Sequence, residues 1–221
     1  MASPGLTSES SFSHVRFRPW VGEDYGENCQ WHIPIMVLGE SHYGTEEEAR
    51  DQYFTIELME RVVTGWRYAF WTRVASVFLG RRPTDEDYVR FWQSVMFYNF
   101  IQESVGRVSR TRPTPAMWTN AVPAFQEVLE RYRPLFILVT GKQLWDNLPN
   151  AGQIGPTIAL PDRGQRESWL YSHPGGHALS FGINHPQSFG WKYQDWVAWV
   201  AAVLEAARHI NPKYAVALPA N

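Results

Sequence analysis

The chain has 221 residues, 44% of them hydrophobic and 19% charged, with 20 Lys and Arg against 22 Asp and Glu. That length and apolar fraction exclude a wholly disordered chain and fit one well-cored domain with insertions, while the net charge of −2 confines any nucleic-acid-binding patch to a local one. A single cysteine, Cys29, excludes a disulfide framework, a cysteine-rich zinc site and a cysteine-held iron–sulfur cluster, and the longest apolar run, Trp196 to Leu204, is too short to cross a bilayer.

Residues 1–13 are small and polar and read as a disordered tail without the basic and apolar regions of a signal peptide, so the expectation is a cytoplasmic monomer with one domain over 14–221. Ile33–Leu38 is a nearly continuous apolar run before Gly39, the pattern of a buried parallel strand. Helices are predicted over 46–63, 66–79 and 85–93, stopped in turn by Gly65, Gly80 and the strand Val95–Tyr98. After a polar loop, 103–115, comes an amphipathic helix over 117–131, broken near its start by Pro123. A third buried strand, Leu135–Val139, leads into a helix that ends at Leu148. Residues 149–166 read as Pro/Gly-rich loop, 169–172 and 179–183 as strands around His173-Pro174-Gly175-Gly176, and 191–209 as the last helix.

Strands alternating with helices predict an α/β fold, a three-layer α/β/α sandwich around a mainly parallel four-stranded sheet. In such sheets chemistry collects beyond the carboxyl ends of the strands, so Gly39–Tyr43, Asn99, Thr140–Lys142 and Asn184–Ser188 are expected to meet at one rim. The first of these loops holds Glu40, Ser41, His42 and Tyr43, a dense polar cluster beside an apolar strand. Asn99 offers a donor and an acceptor in one plane, suited to a base edge. Lys142 follows a glycine where a phosphate can sit, and Asn184-His185-Pro186-Gln187-Ser188 sets an imidazole near a hydroxyl. Because Lys142, Lys192 and Lys213 are the only lysines, 17 of the 20 basic residues are arginine, the better partner for phosphates and bases.

In their order, VLGESHYG, FYNF, LFILVTGKQLW and NHPQSFGW resemble the motifs of the uracil-DNA glycosylase superfamily over about residues 33–204. The resemblance implies a DNA glycosylase that flips a pyrimidine-type nucleotide and hydrolyses its N-glycosidic bond, with DNA as partner and no cofactor, metal or membrane. Under it Glu40 serves water or the positive charge growing on the sugar, and His185 donates to the carbonyl oxygen of the departing base. Ser41, His42, Tyr43, Phe54 and Asn99 line the base site, with Tyr53 the substitute for Phe54 as the stacking aromatic. Arg107, Arg110, Arg112, Lys142 and Ser188 hold the DNA backbone, and Phe189 or Trp191 fills the stack left by the flipped base.

Two departures qualify the likeness. Ser41 stands where one branch of the superfamily has an aspartate, and the cluster cysteines of another branch are absent. A base other than plain uracil follows, with a modified pyrimidine of phage DNA, and so a role in phage defence, as the expectation. Two alternatives stand beside it: an inactive DNA-binding module of the same fold, and an SGNH-type esterase with Ser41 as nucleophile, for which Gly182 occupies the place of the orienting aspartate. A zinc hydrolase using His173 and His177 lacks a ligand set of the usual spacing.

Overall fold

A computed structural model describes residues 11–45, 47–107, 111–150 and 152–214. Its centre is four parallel strands, β2 (Ile35–Gly39), β3 (Met96–Asn99), β4 (Phe136–Thr140) and β9 (Gly176–Ile183), paired in the order β3-β2-β4-β9. Every residue of β2, β3 and β4 is buried, as expected for strands covered on both faces. Their register aligns Gly39 with Asn99, Leu38 with Val139 and Thr140 with Ile183, so the four carboxyl ends finish level.

The sheet is larger and more mixed than the four mainly parallel strands predicted. It has seven strands, because β1 (Trp20–Val21) pairs antiparallel with β3 at one edge, while β8 (Trp169–His173) and β5 (Gln153–Ile154) add antiparallel strands at the other. The glycine turn at 175–176 folds β8 back onto β9, and Gly176 takes φ 133°, a conformation open to glycine.

Alternation along the strands divides the core between the two faces. Ile35, Val37, Phe97 and Leu138 point to one face and pack on α1 (Phe54–Thr64), α2 (Ala69–Leu79), α3 (Asp85–Gln93) and α6 (Gln194–His209). Met36, Leu38, Tyr98 and Val139 point to the other, under α4 (Pro115–Tyr132) and α5 (Lys142–Asp146). Six of the eleven tryptophans, Trp20, Trp71, Trp92, Trp118, Trp196 and Trp199, are buried in these two clusters, which accounts for them as packing.

Three local expectations are corrected. The helix predicted from residue 46 begins at Phe54: Thr45 and Glu48 exchange bonds of 2.7 and 3.1 Å that close a short turn over 48–50, and Asp51 then caps Tyr53 N–H at 2.8 Å. Pro123 does not break α4, since it lies on the exposed face, where water can serve the carbonyl that loses its donor. The predicted loop 149–166 contains β5 and a hairpin, β6 (Ile158–Leu160) with β7 (Gly164–Arg166), whose Pro161-Asp162 turn closes on Gly164 at φ 78°. Residues 1–10 of the expected disordered tail lie outside the described residues, and its last residue is tied to the body: Ser13 N–H donates to Glu127 of α4 at 2.7 Å. Among the described residues no helix is long and apolar enough to cross a membrane.

Candidate active site

The four loops predicted to meet do so. A cleft of about 780 Å³ opens over the level ends of β2, β3, β4 and β9, lined by Glu40, Asn99, Gly141 and His185 among others. Its floor is stitched by main-chain bonds: Phe100 N–H donates to Gly39 O and Ile101 N–H to Glu40 O, each at 2.9 Å, and Gly141 N–H to Ile183 O at 2.8 Å. Thr140 Oγ1 donates to Leu38 O at 2.8 Å from a fully buried position.

Glu40 is held at the edge of this floor with its side chain 15% exposed, and Arg112 Nη1 is 3.7 Å from its Oε1. Burial raises the carboxyl above its ordinary range and the Arg112 guanidinium works against that rise. His185 lines the same cleft and is exposed as a whole residue, yet crowding by its neighbours still lowers its affinity for a proton, and Arg112 adds to the effect. The imidazole is therefore neutral near pH 7. Gln187 N–H donates to its Nδ1 at 3.2 Å, so the single ring proton sits on Nε2, as a hydrogen-bond donor.

His42 lies beneath, only 3% exposed, between the rings of Phe17 and Phe54, whose centroids are 5.0 and 4.8 Å from its own. Burial pushes its pKa down to about 3. Its Nε2 is 2.8 Å from Thr55 Oγ1, and the amide nitrogen of Asn99 is 3.1 Å from both ring nitrogens. Gln102 secures this floor from behind: its Oε1 accepts from Arg16 N–H and Phe17 N–H at 3.0 and 2.9 Å, and its Nε2 donates to Asn99 O at 2.8 Å.

The remaining predicted residues divide. Ser41, Tyr43, Phe54, Ser188 and Phe189 line the cleft, Tyr43 at its rim and Phe189 wholly exposed. Tyr53 does not line it; Arg18 covers its ring at 5.1 Å, so Phe54 is the aromatic available to a ligand. Trp191 is tied down rather than projecting: its Nε1 donates to Asn184 O at 2.9 Å, and Arg73 lies over its ring while donating to Pro186 O. Lys142 lines the cleft but is paired with Asp146 at 2.9 Å. Arg107 is exposed beside Glu48, Arg112 belongs to the cleft, and Arg110 lies outside the described residues. Tyr68, Phe70 and Leu58, from α1 and the start of α2, also form the wall; the Phe70 ring is 5.5 Å from that of His185. Nothing in their spacing distinguishes them from core residues, which is why sequence reasoning passes over them.

The other histidines are remote from the cleft. His173 Nε2 donates to Pro134 O at 2.8 Å, before the start of β4, and His177 pairs with Ser172 at 3.1 Å. Gly182 leaves room for the Trp145 ring, since a Cβ there would lie 2.8 Å from it. No protein-family model matches the chain, and no curated protein matches its sequence.

Proposed function

We propose that this protein is a DNA glycosylase that takes a flipped uracil-like or modified pyrimidine nucleotide into the cleft and hydrolyses its N-glycosidic bond, leaving an abasic site. The observation that carries this reading is the pairing of a half-buried carboxyl, Glu40, with a neutral imidazole whose proton is on Nε2, His185, in one cleft with an amide and aromatic rings. Cleavage of the bond leaves electrons on the base and positive character on the sugar. A neutral His185 Nε2–H suits the first, by donating to a ring carbonyl oxygen as its charge grows. A Glu40 carboxylate suits the second, by drawing a proton from attacking water and balancing the sugar charge. The hydroxyl from water goes to the sugar carbon, and the released base takes up a proton.

The order β3-β2-β4-β9 with helices on both faces agrees with the α/β/α sandwich the motifs imply, and the cleft volume suffices for a whole nucleotide. Ser188 and Arg112 at the rim suit backbone phosphates, and Phe189 the emptied stack. In this reading the protein acts as a monomer on phage or damaged DNA inside the cell. The esterase alternative is weaker. A nucleophilic Ser41 needs a histidine oriented through Nδ1–H by a carboxylate, whereas His185 Nδ1 accepts a main-chain N–H and Gly182 has no space for the aspartate.

The test is a panel of oligonucleotides bearing uracil, thymine, cytosine and their 5-hydroxymethyl and glucosylated forms, treated with enzyme and then alkali to cut abasic sites. Strand cleavage that is lost in Glu40→Gln and His185→Ala supports the glycosylase. DNA binding without cleavage of any strand points to the inactive module instead.

A further inference from the structure

Pro186 O and Gln187 N–H are the two ends of one peptide group, and each end is engaged. Arg73 Nη1 of α2 donates to the oxygen, while the nitrogen donates to His185 Nδ1 at 3.2 Å. A peptide group is planar, and in the trans form its C=O and N–H point in opposite directions. Whatever fixes the oxygen therefore also aims the N–H. The bond from Arg73 is charge-assisted, and a peptide polarised at its oxygen by a cation donates more strongly through its nitrogen. Several contacts fix the guanidinium in turn. Pro186 is buried and Arg73 half-buried, and Arg73 Cζ lies 5.8 Å from the centre of the Trp191 ring. Trp191 Nε1 donates to Asn184 O at 2.9 Å, which closes the loop from 184 to 191 on itself. Phe70, one turn before Arg73 on the same helix, sets its ring 5.5 Å from that of His185. One helix thus touches both the imidazole and the peptide that binds it.

The consequence falls on the ring proton. A neutral imidazole carries one proton, and the nitrogen that accepts a hydrogen bond does not hold it. With Nδ1 accepting from Gln187, the proton stays on Nε2. Were the peptide to turn over, its oxygen would face Nδ1 and draw the proton there, leaving Nε2 an acceptor with nothing to donate. We propose that Arg73 is a positioning residue for His185, acting through the 186–187 peptide to keep the imidazole proton on Nε2. The purpose of that proton rests on the glycosylase reading, whereas the linkage can be measured without any substrate.

The experiment records the ring ¹⁵N resonances of His185 in the full chain at about pH 8, where the imidazole is neutral, and assigns them by their loss in His185→Gln. The unmodified protein is expected to show two widely separated resonances, the protonated nitrogen being Nε2. In Arg73→Ala they draw together as both tautomers become populated, and added ethylguanidinium moves them apart again. Arg73→Gln, whose side chain is shorter and uncharged, serves if Arg73→Ala does not fold. Resonances that stay apart in these variants overturn the assignment of Arg73. Trp191→Phe keeps an aromatic ring beside Arg73 but loses the bond to Asn184 O, and is expected to leave the resonances apart. An equal collapse there shows only a loosened loop and also overturns the assignment. Base release by Arg73→Ala is expected to show kcat lower by about tenfold or more with KM little changed. A kcat that holds while the resonances collapse overturns the positioning role. Collapse in a protein that releases no base from any strand supports the linkage and overturns the glycosylase reading alone.

Discussion

Gly39 and Asn99 face each other across the β2–β3 ladder, and the side chain missing from one is the space occupied by the amide of the other. Gly39 needs no unusual backbone conformation; what it supplies is clearance. Gly39→Ala sets a methyl 2.1 Å from Asn99 Oδ1 and 3.2 Å from the Phe97 ring, between buried strands that do not yield readily. The expected outcome is a loss of about 1–3 kcal/mol in stability. Base release falls by roughly 10²-fold, because the amide is pushed out of place. Urea unfolding and single-turnover kinetics measure the two effects separately.

Acid should weaken the fold through His42. The unfolded histidine takes a proton near pH 6.5, whereas the folded one resists until about pH 3, so between those values the unfolded chain binds more protons. The stability attached to the neutral ring is complete above pH 6.5 and is lost as pH falls toward 3. Urea midpoints measured at pH 7 and pH 4.5 are expected to differ more for the unmodified protein than for His42→Leu, which has no proton to take up.

Arg112 should govern the acid limb of activity. Burial raises the Glu40 carboxyl above 4.5 and Arg112, 3.7 Å away, opposes the rise. If the working form is the carboxylate, activity declines as pH falls through the raised value. Arg112→Gln removes the opposing charge and shifts that limb to higher pH. The same change lifts a restraint on His185 protonation, so the limb for the neutral imidazole also moves up. A pH–rate profile that stays in place in Arg112→Gln would separate Arg112 from Glu40 function.

Phe189 is expected to matter for duplexes and not for the fold. Its side chain is wholly exposed, so Phe189→Ala should leave stability within about 0.5 kcal/mol of the parent. A wedge is needed only where a base must be displaced from a stack, so release from double-stranded DNA is expected to drop about tenfold or more while release from a single strand is unchanged. Equal losses on both substrates would assign Phe189 to general binding instead.

Much of this arrangement is legible in the sequence because it rests on short-range signals. Ile33–Leu38, Val95–Tyr98 and Leu135–Val139 are continuous or nearly continuous apolar runs, and each is followed by a polar or glycine break, which locates the strand ends and with them the rim. The edge strands are not legible. Two-residue strands such as Trp20–Val21 and Gln153–Ile154 have no period to detect and exist only because a neighbouring strand offers a partner. The same holds within the site. Glu40, Asn99 and His185 stand out by their place after strands, but the engagement of the Asn99 amide by His42, and of His42 by Thr55, depends on residues 57 and 13 positions apart. No local pattern records such distances.

Gln102 binds the main chain of Phe17 on one side and of Asn99 on the other, and the first of those contacts joins positions 85 residues apart. The β2–β4 ladder joins residues at least as far apart, Ile35 with Phe136, so the Phe17 wall behind His42 and the sheet beside it depend alike on long-range pairing. A change at Gln102 is therefore felt at both ends of the link it makes, at the main chain of Phe17 behind the imidazole and at the main chain of Asn99.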